Sequence, residues 1–182
     1  MGTAKLMAVQ LDGGTRAWFV GIIGSGDVAY ARLESGSSAN YINAQVNGVS
    51  LSANTLYHIV KTYDGSKANT GLNVYVNTSQ AAIARSTGGT YNGITTSGAS
   101  VITDVPRNDA AYGYGLYQVF RIFNAELTPG EVTTLYNSGT PVGLTASLQA
   151  KCIQENLFEG NLNADNIGTN GSAVGSPTFA AN

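Results

Sequence analysis

The chain has 182 residues, of which nine are basic and eleven acidic, for a formal net charge of −2. Only 11% of the residues are charged, against about 25% in an average soluble domain, and no basic cluster exists, which excludes nucleic-acid binding and a polybasic membrane patch. Ten Tyr, five Phe and a hydrophobic share of 43% argue against disorder, and the length predicts one domain, 1–182, with a real core.

The opening run from Met1 to Gln10 has one Lys but no apolar stretch of signal-peptide length, so no secretory signal is expected. Short strands are predicted at 4–11, 17–23, 27–33, 40–46, 56–63, 71–77, 80–85, 100–104 and 116–123. Turn residues part them: Asp12-Gly13-Gly14, Gly24-Ser25-Gly26-Asp27, Ser35-Gly36-Ser37-Ser38 and Asp64-Gly65. Strands this short and this regularly spaced predict an antiparallel sandwich or barrel. The apolar stretch Ala17–Ile23 is too short to span a bilayer, so no membrane insertion is expected. In 56–63, Leu56, His58, Val60 and Thr62 alternate with Tyr57, Ile59, Lys61 and Tyr63, the pattern of a half-buried strand. In 71–77, Leu72, Val74 and Val76 alternate with Asn73 and Tyr75. Residues 86–99 are rich in Gly, Ser and Thr and read as a long loop.

One short helix is predicted at about 129–137. Thr128 is its N-cap, Pro129 its first residue, and Glu131 completes a capping box. Val132, Leu135 and Tyr136 form its apolar stripe, and Asn137-Ser138-Gly139 ends it. Cys152 is the single cysteine, so no intrachain disulfide and no cysteine metal site are expected; it reads as a small buried apolar side chain.

Two motifs carry a family resemblance. The first is Thr55–Asn77, with Tyr57-His58-Ile59-Val60-Lys61-Thr62-Tyr63-Asp64-Gly65 followed by Leu72-Asn73-Val74-Tyr75-Val76-Asn77. The second is Arg121-Ile122-Phe123-Asn124-Ala125-Glu126-Leu127, continuing to Glu131, Leu135 and Tyr136. Both resemble signatures of laminin-G-like, concanavalin-A-like jelly rolls. Leu56 stands where the family usually has Trp, and Gln118 and Val119 stand where it often has acidic residues. The resemblance implies an all-β, antiparallel concanavalin-A-like jelly-roll sandwich with one short helix, and a habit of binding. The stretch Leu157–Gly171, with Phe158-Glu159-Gly160-Asn161 at its start, is similar to the one that opens such domains, yet here it comes last. A circularly permuted order is one expectation. Residues 155–182 would then supply edge strands to the same sandwich, or to a neighbouring subunit.

Candidate sites follow from residue type. His58 is the only histidine, so no catalytic triad and no multi-His metal site can form; it reads as a structural residue of the sandwich. The alternate-position carboxylates of glycoside hydrolases of this class have no counterpart. Glu155 and Glu159 flank a turn, and Glu126 and Glu131 belong to the helix start, so no enzymatic activity is expected. A glycan site needs aromatic faces and amide or carboxylate partners. Residues 107–117 with the preceding loop meet that description through Tyr91, Asn92, Asn108, Asp109, Tyr112 and Tyr114. The alternative, that these rings cover the core or fill a subunit interface, stays open. Calcium is the one cofactor to consider, with Asp104, Asp109 and Asp165 as its carboxylates; the same residues also suit turns.

The expected function is non-enzymatic recognition or assembly. One reading is a bacteriophage virion-surface module, a decoration or fibre protein whose partners are other virion subunits, copies of itself, and cell-surface glycans. The other is a carbohydrate-binding domain of a larger secreted bacterial protein, located outside the cell.

Overall fold

The computed structural model describes residues 5–12, 15–23, 28–47, 49–52, 54–80, 83–94, 101–103, 118–140 and 142–157; for 5–12, 15, 16, 23, 101–103, 156 and 157 it describes the backbone alone. The chain forms two compact units, Met1–Tyr114 and Gly115–Asn182.

In the first unit, six strands make one antiparallel sheet. They are β1 (Lys5–Asp12), β2 (Thr15–Ile23), β3 (Val28–Glu34), β4 (Tyr41–Val46), β7 (Ile83–Gly88) and β8 (Val101–Thr103), in the order β7-β4-β3-β2-β1-β8. The strands β5 (Ile59–Tyr63) and β6 (Leu72–Val76) form a separate antiparallel hairpin. Alternation explains how the hairpin and the sheet meet. In β4, Ile42, Ala44 and Val46 are buried, while Tyr41, Asn43 and Gln45 are half-buried. Their register partners in β3 are Leu33, Ala31 and, by the same alternation, Ala29. These six residues pack with Leu72, Val74, Val76 and Tyr91 as one core, with Trp18, Ile59, Tyr63 and Ile83 against its margin. Leu33, Ile42, Leu72, Val46 and Val74 are among the largest fully buried side chains, each contributing about 1.5–3 kcal/mol by leaving water.

The predicted strand 56–63 is shorter in the structure. It begins at Ile59, because the backbone of His58 is held by the turn after β6. The His58 N–H donates to Asn77 Oδ1 at 3.1 Å, and the Asn77 N–H donates to the His58 carbonyl at 2.6 Å. Asn77 reaches this geometry at a φ of 58°, a left-handed conformation that Asn tolerates better than most residues. Leu56 is 51% exposed, and the core-facing set is Tyr57, Ile59 and Tyr63.

The Asp64–Gly71 loop is built by its own motif. Asp64 Oδ1 accepts from the Ser66 N–H at 2.8 Å, and the Lys67 N–H donates to Tyr63 Oη at 2.6 Å. Gly71 is required here: a β-carbon on it would lie 1.9 Å from Asp64 Oδ1.

In the second unit, β9 (Val119–Phe123) leads to α1 (Pro129–Tyr136), α2 (Ala146–Lys151) and β10 (Cys152–Leu157). The expected helix is present with its capping box. The Glu131 N–H donates to Thr128 Oγ1 at 3.2 Å, and the Thr128 N–H donates to Glu131 Oε2 at 2.8 Å. Asn137, at a φ of 39°, ends it. The short α2 and the first part of β10, residues 152–154, are further elements that the sequence reading did not contain; residues 155–157 of β10 fall in the stretch expected to supply edge strands. β10 pairs antiparallel with β9, Glu155 opposite Arg121.

Candidate functional site

Three loops of the first unit come together at one end of the six-stranded sheet: 35–40 between β3 and β4, 64–71 between β5 and β6, and 88–94 after β7. The pairing of Tyr41 with Glu34 on one side and Gly88 on the other puts the first and third loops at the same end. Specific contacts hold them. Asn40 Oδ1 accepts from the Thr90 N–H at 3.2 Å, and the Asn92 N–H donates to Ser35 Oγ at 3.3 Å. Gly89, at a φ of 51°, has no room for a β-carbon, which would meet Asn40 Oδ1 at 2.1 Å. The second loop joins through Tyr63, whose ring meets that of Tyr91 edge-on at 6.4 Å. Arg85 adds a staple, donating to the Asn69 carbonyl at 3.0 Å and to Asn73 Oδ1 at 2.7 Å.

What this end exposes is chemically uniform. Ser38, Ser66, Thr70, Thr90 and Asn92 are exposed, and so is Ile94 at 39%. Asp64 and Lys67 are the only charged residues in the three loops. The Asp64 carboxyl is held below the usual range by its hydrogen bonds to Ser66. Such a surface offers hydroxyl and amide donors and acceptors on a scaffold whose bases are fixed.

The sheet face opposite the core is less available. Arg32 stacks over the Tyr41 ring at 3.6 Å, pairs with Glu34 at 2.8 Å and donates to the Ser38 carbonyl. The Ser86 N–H and Oγ both donate to Asn43 Oδ1, at 3.0 and 2.9 Å. The Tyr41 ring fills the space where a β-carbon on Gly88 would sit, 2.2 Å from it. Arg32 with Glu34, and Ser86 with Asn43, are paired along this stripe, and one face of its Tyr41 ring is already covered.

The expected ligand residues divide sharply. Asn92 is exposed on the third loop. Tyr91 corrects the reading: it is 8% exposed and belongs to the core, and burial pushes its phenol well above the usual tyrosine range. Little of its ring is open to a sugar, since Tyr91 lies within the core cluster. Asn108, Asp109, Tyr112 and Tyr114 lie outside the described residues, as do the calcium candidates Asp104 and Asp165. Among the described residues no three His, Cys, Asp or Glu side chains come together, and no helix is long and apolar enough to cross a membrane. The loops 35–40 and 64–71 were not singled out as a site from the sequence. Their nearness depends on strand order, although their Ser, Thr and Asn content was visible.

Two carboxylates of the second unit, Glu131 and Glu155, have structural work. Glu155 is 4% exposed and accepts from Arg121 Nε at 2.6 Å, while Arg121 also donates to the Val142 carbonyl at 2.6 Å. Glu131 serves the capping box and takes Lys151 Nζ at 2.6 Å; that ammonium and the Thr128 N–H hold its carboxyl below the usual range. Cys152 is buried, its Sγ 3.1 Å from the Gln154 carbonyl, and burial raises its thiol pKa.

Residues 2–133 match the family model described as the concanavalin A-like lectin/glucanases superfamily. The chain belongs to this superfamily. No curated protein and no solved structure matches it. The superfamily membership agrees with the antiparallel architecture and with the laminin-G-like motifs. In this chain the Tyr63-Asp64-Gly65 and Gly71-Leu72 parts of the first motif shape a loop, and the Arg121 of the second anchors an ion pair. The match ends at residue 133, inside α1; α2 and β10 lie beyond it.

Proposed function

We propose that this superfamily member is a non-enzymatic recognition module whose ligand is an uncharged, hydroxyl-rich glycan, bound at the loop end of the first unit. The observation that carries the reading is the convergence of the three loops into one surface of hydroxyls and amides with a single acid and a single base. Sugar hydroxyls pair with such groups without desolvating ions, and carbohydrate recognition is a common use of the superfamily's architecture. Tyr112 and Tyr114 belong to the proposal as the stacking rings. The lack of catalysis is supported by the structural duties of Glu131 and Glu155.

The setting we propose is a bacteriophage virion surface, with copies of the chain or other virion subunits as partners. The low charge and the absence of a disulfide support it. The second reading is a carbohydrate-binding domain of a secreted bacterial protein, favoured by the lectin membership. Gel filtration separates the two: a tight oligomer supports the first, a monomer with weak sugar affinity the second. The single-domain reading, with 155–182 completing the sandwich, is part of the proposal; residues 155–157 pair with β9 of the same chain, within the second unit.

The test is a glycan array followed by titration calorimetry. Thr90→Ala with Asn92→Ala is expected to weaken binding of a neutral oligosaccharide about tenfold, the loss of one or two hydrogen bonds, at unchanged melting temperature. Tyr112→Ala with Tyr114→Ala is expected to do the same. An array with no neutral glycan signal, or binding unmoved by both double variants, overturns the assignment.

A further inference from the structure

The first unit has a seam between the six-stranded sheet and the β5–β6 hairpin, and two cations reach into it. Arg85, in β7, sits opposite Ala44 on the core side of the sheet and is fixed by its bonds to Asn69 and Asn73. Lys61 is different. It lies opposite Val74 in the hairpin, between Ile59 and Tyr63, which both pack on the core. Strand alternation therefore turns it inward. Its Nζ stands 4.2 Å from the centre of the Trp18 ring in β2.

We propose that Lys61 is a proton-controlled wedge in this seam: as a neutral amine it packs between the hairpin and the sheet, and as an ammonium it loosens the hairpin. The physical reason is desolvation. An aromatic face offsets part of the cost of burying a cation, but less than a carboxylate and its hydrogen bonds would. Burial pushes the Lys61 ammonium down to about 7, so its charge changes near neutrality. Among the described residues, the other titratable or charged groups that pack along the seam are Arg85, Tyr57, Tyr63 and Tyr91. None of these is a carboxylic acid that would hold the ammonium in place. β3, β4 and β6 present apolar residues to the seam, and β1 and β8 contribute no described side chain. The hairpin carries the 64–71 loop, so loosening it in acid reaches the loop end directly.

Trp18 is the only tryptophan of the chain and reports on its own neighbour. The experiment follows its emission and its quenching by acrylamide from about pH 5.5 to about pH 9, a span that brackets the amine's titration. In the wild-type protein, quenching is expected to increase about twofold or more toward acid, with a midpoint near neutrality. Lys61→Met is expected to stay protected throughout, and Lys61→Arg, which keeps the charge, to stay quenchable throughout. His58→Gln removes the single histidine of the chain, a residue type that ordinarily titrates in this range, and is expected to leave the curve unchanged. A flat wild-type curve overturns the proposal. So does a titration that survives in Lys61→Met or vanishes in His58→Gln. Should Lys61→Arg fail to fold, the comparison of wild type with Lys61→Met decides alone.

Discussion

Single side chains set several of the properties that can be measured first. Gly71 is one: its φ is ordinary, so the demand for glycine is purely steric and comes from the Asp64 carboxylate. Gly71→Ala is expected to destabilise by about 1–2 kcal/mol, the size of the hydrogen bonds lost when Asp64 is pushed aside. Asp64→Ala in the same chain should recover part of that loss, which a thermal melt of the three variants will show. Lys61 sets the response to pH. In the unfolded chain its pKa returns to about 10.4, so above about 7 the unfolded chain holds a proton that the folded chain has lost. Stability therefore rises with pH across this window, and the penalty is fully present below it. The buried Cys152 thiol acts in the opposite direction above about pH 8.5, because its folded pKa is raised, so the clean window runs from neutrality to there. Lys61→Met should raise the melting temperature at and below neutral pH and flatten its pH dependence between about 7 and about 8.5. The difference scales at about 1.4 kcal/mol per pKa unit, a few kcal/mol in all. A melting temperature that is unchanged by the substitution at every pH contradicts this account.

Between elements, a buried ion pair of the second unit, Arg121 to Glu155, joins β9 to β10. Side-chain exposures of 10% and 5% mean that neither charge is well solvated. Glu155→Ala or Arg121→Met alone should cost about 3–5 kcal/mol, because each leaves a buried charge without its partner. Arg121→Met with Glu155→Leu should recover most of that loss, since a well-packed apolar pair often replaces a buried ion pair at no cost. Chemical denaturation of the three variants measures both. This tie also shows where reading the sequence stopped. All nine predicted strands are present within a few residues of their expected limits, because period-two alternation and turn residues are local signals. The helix at 129–136 is present because a capping box is local too. The strand β10 was expected only from residue 155 on, by resemblance and not by alternation: Cys152–Leu157 has a carboxylate where alternation expects an apolar residue, and Arg121 lies across from that buried carboxylate. The inward position of Lys61 was written in the alternation with Ile59 and Tyr63. Its consequence depended on knowing that this face, and not the one with Val60 and Thr62, meets Trp18.

Across the whole molecule, the fold class and family were open to inference because two long motifs occur in order. The candidate site was only partly so. Asn92 was named for its type and remains exposed, whereas Tyr91 was named for its ring and proves to be core. The three-loop surface needed the strand order, which no local pattern carries. Deleting residues 154–182 removes Glu155 and most of β10. The product is expected to be insoluble or unfolded in its second unit, and a truncated protein with an unchanged melting temperature would refute this. The placement of the two unique side chains has one more consequence. Trp18, half-buried in the first unit, and Cys152, 4% exposed in the second, are independent clocks of unfolding: fluorescence follows one unit and thiol trapping by a disulfide reagent follows the other. Coincident transitions would mean that the chain melts as one cooperative body. Separated ones would mean two foldons of different stability within 182 residues, told apart without introducing any residue the chain does not already have.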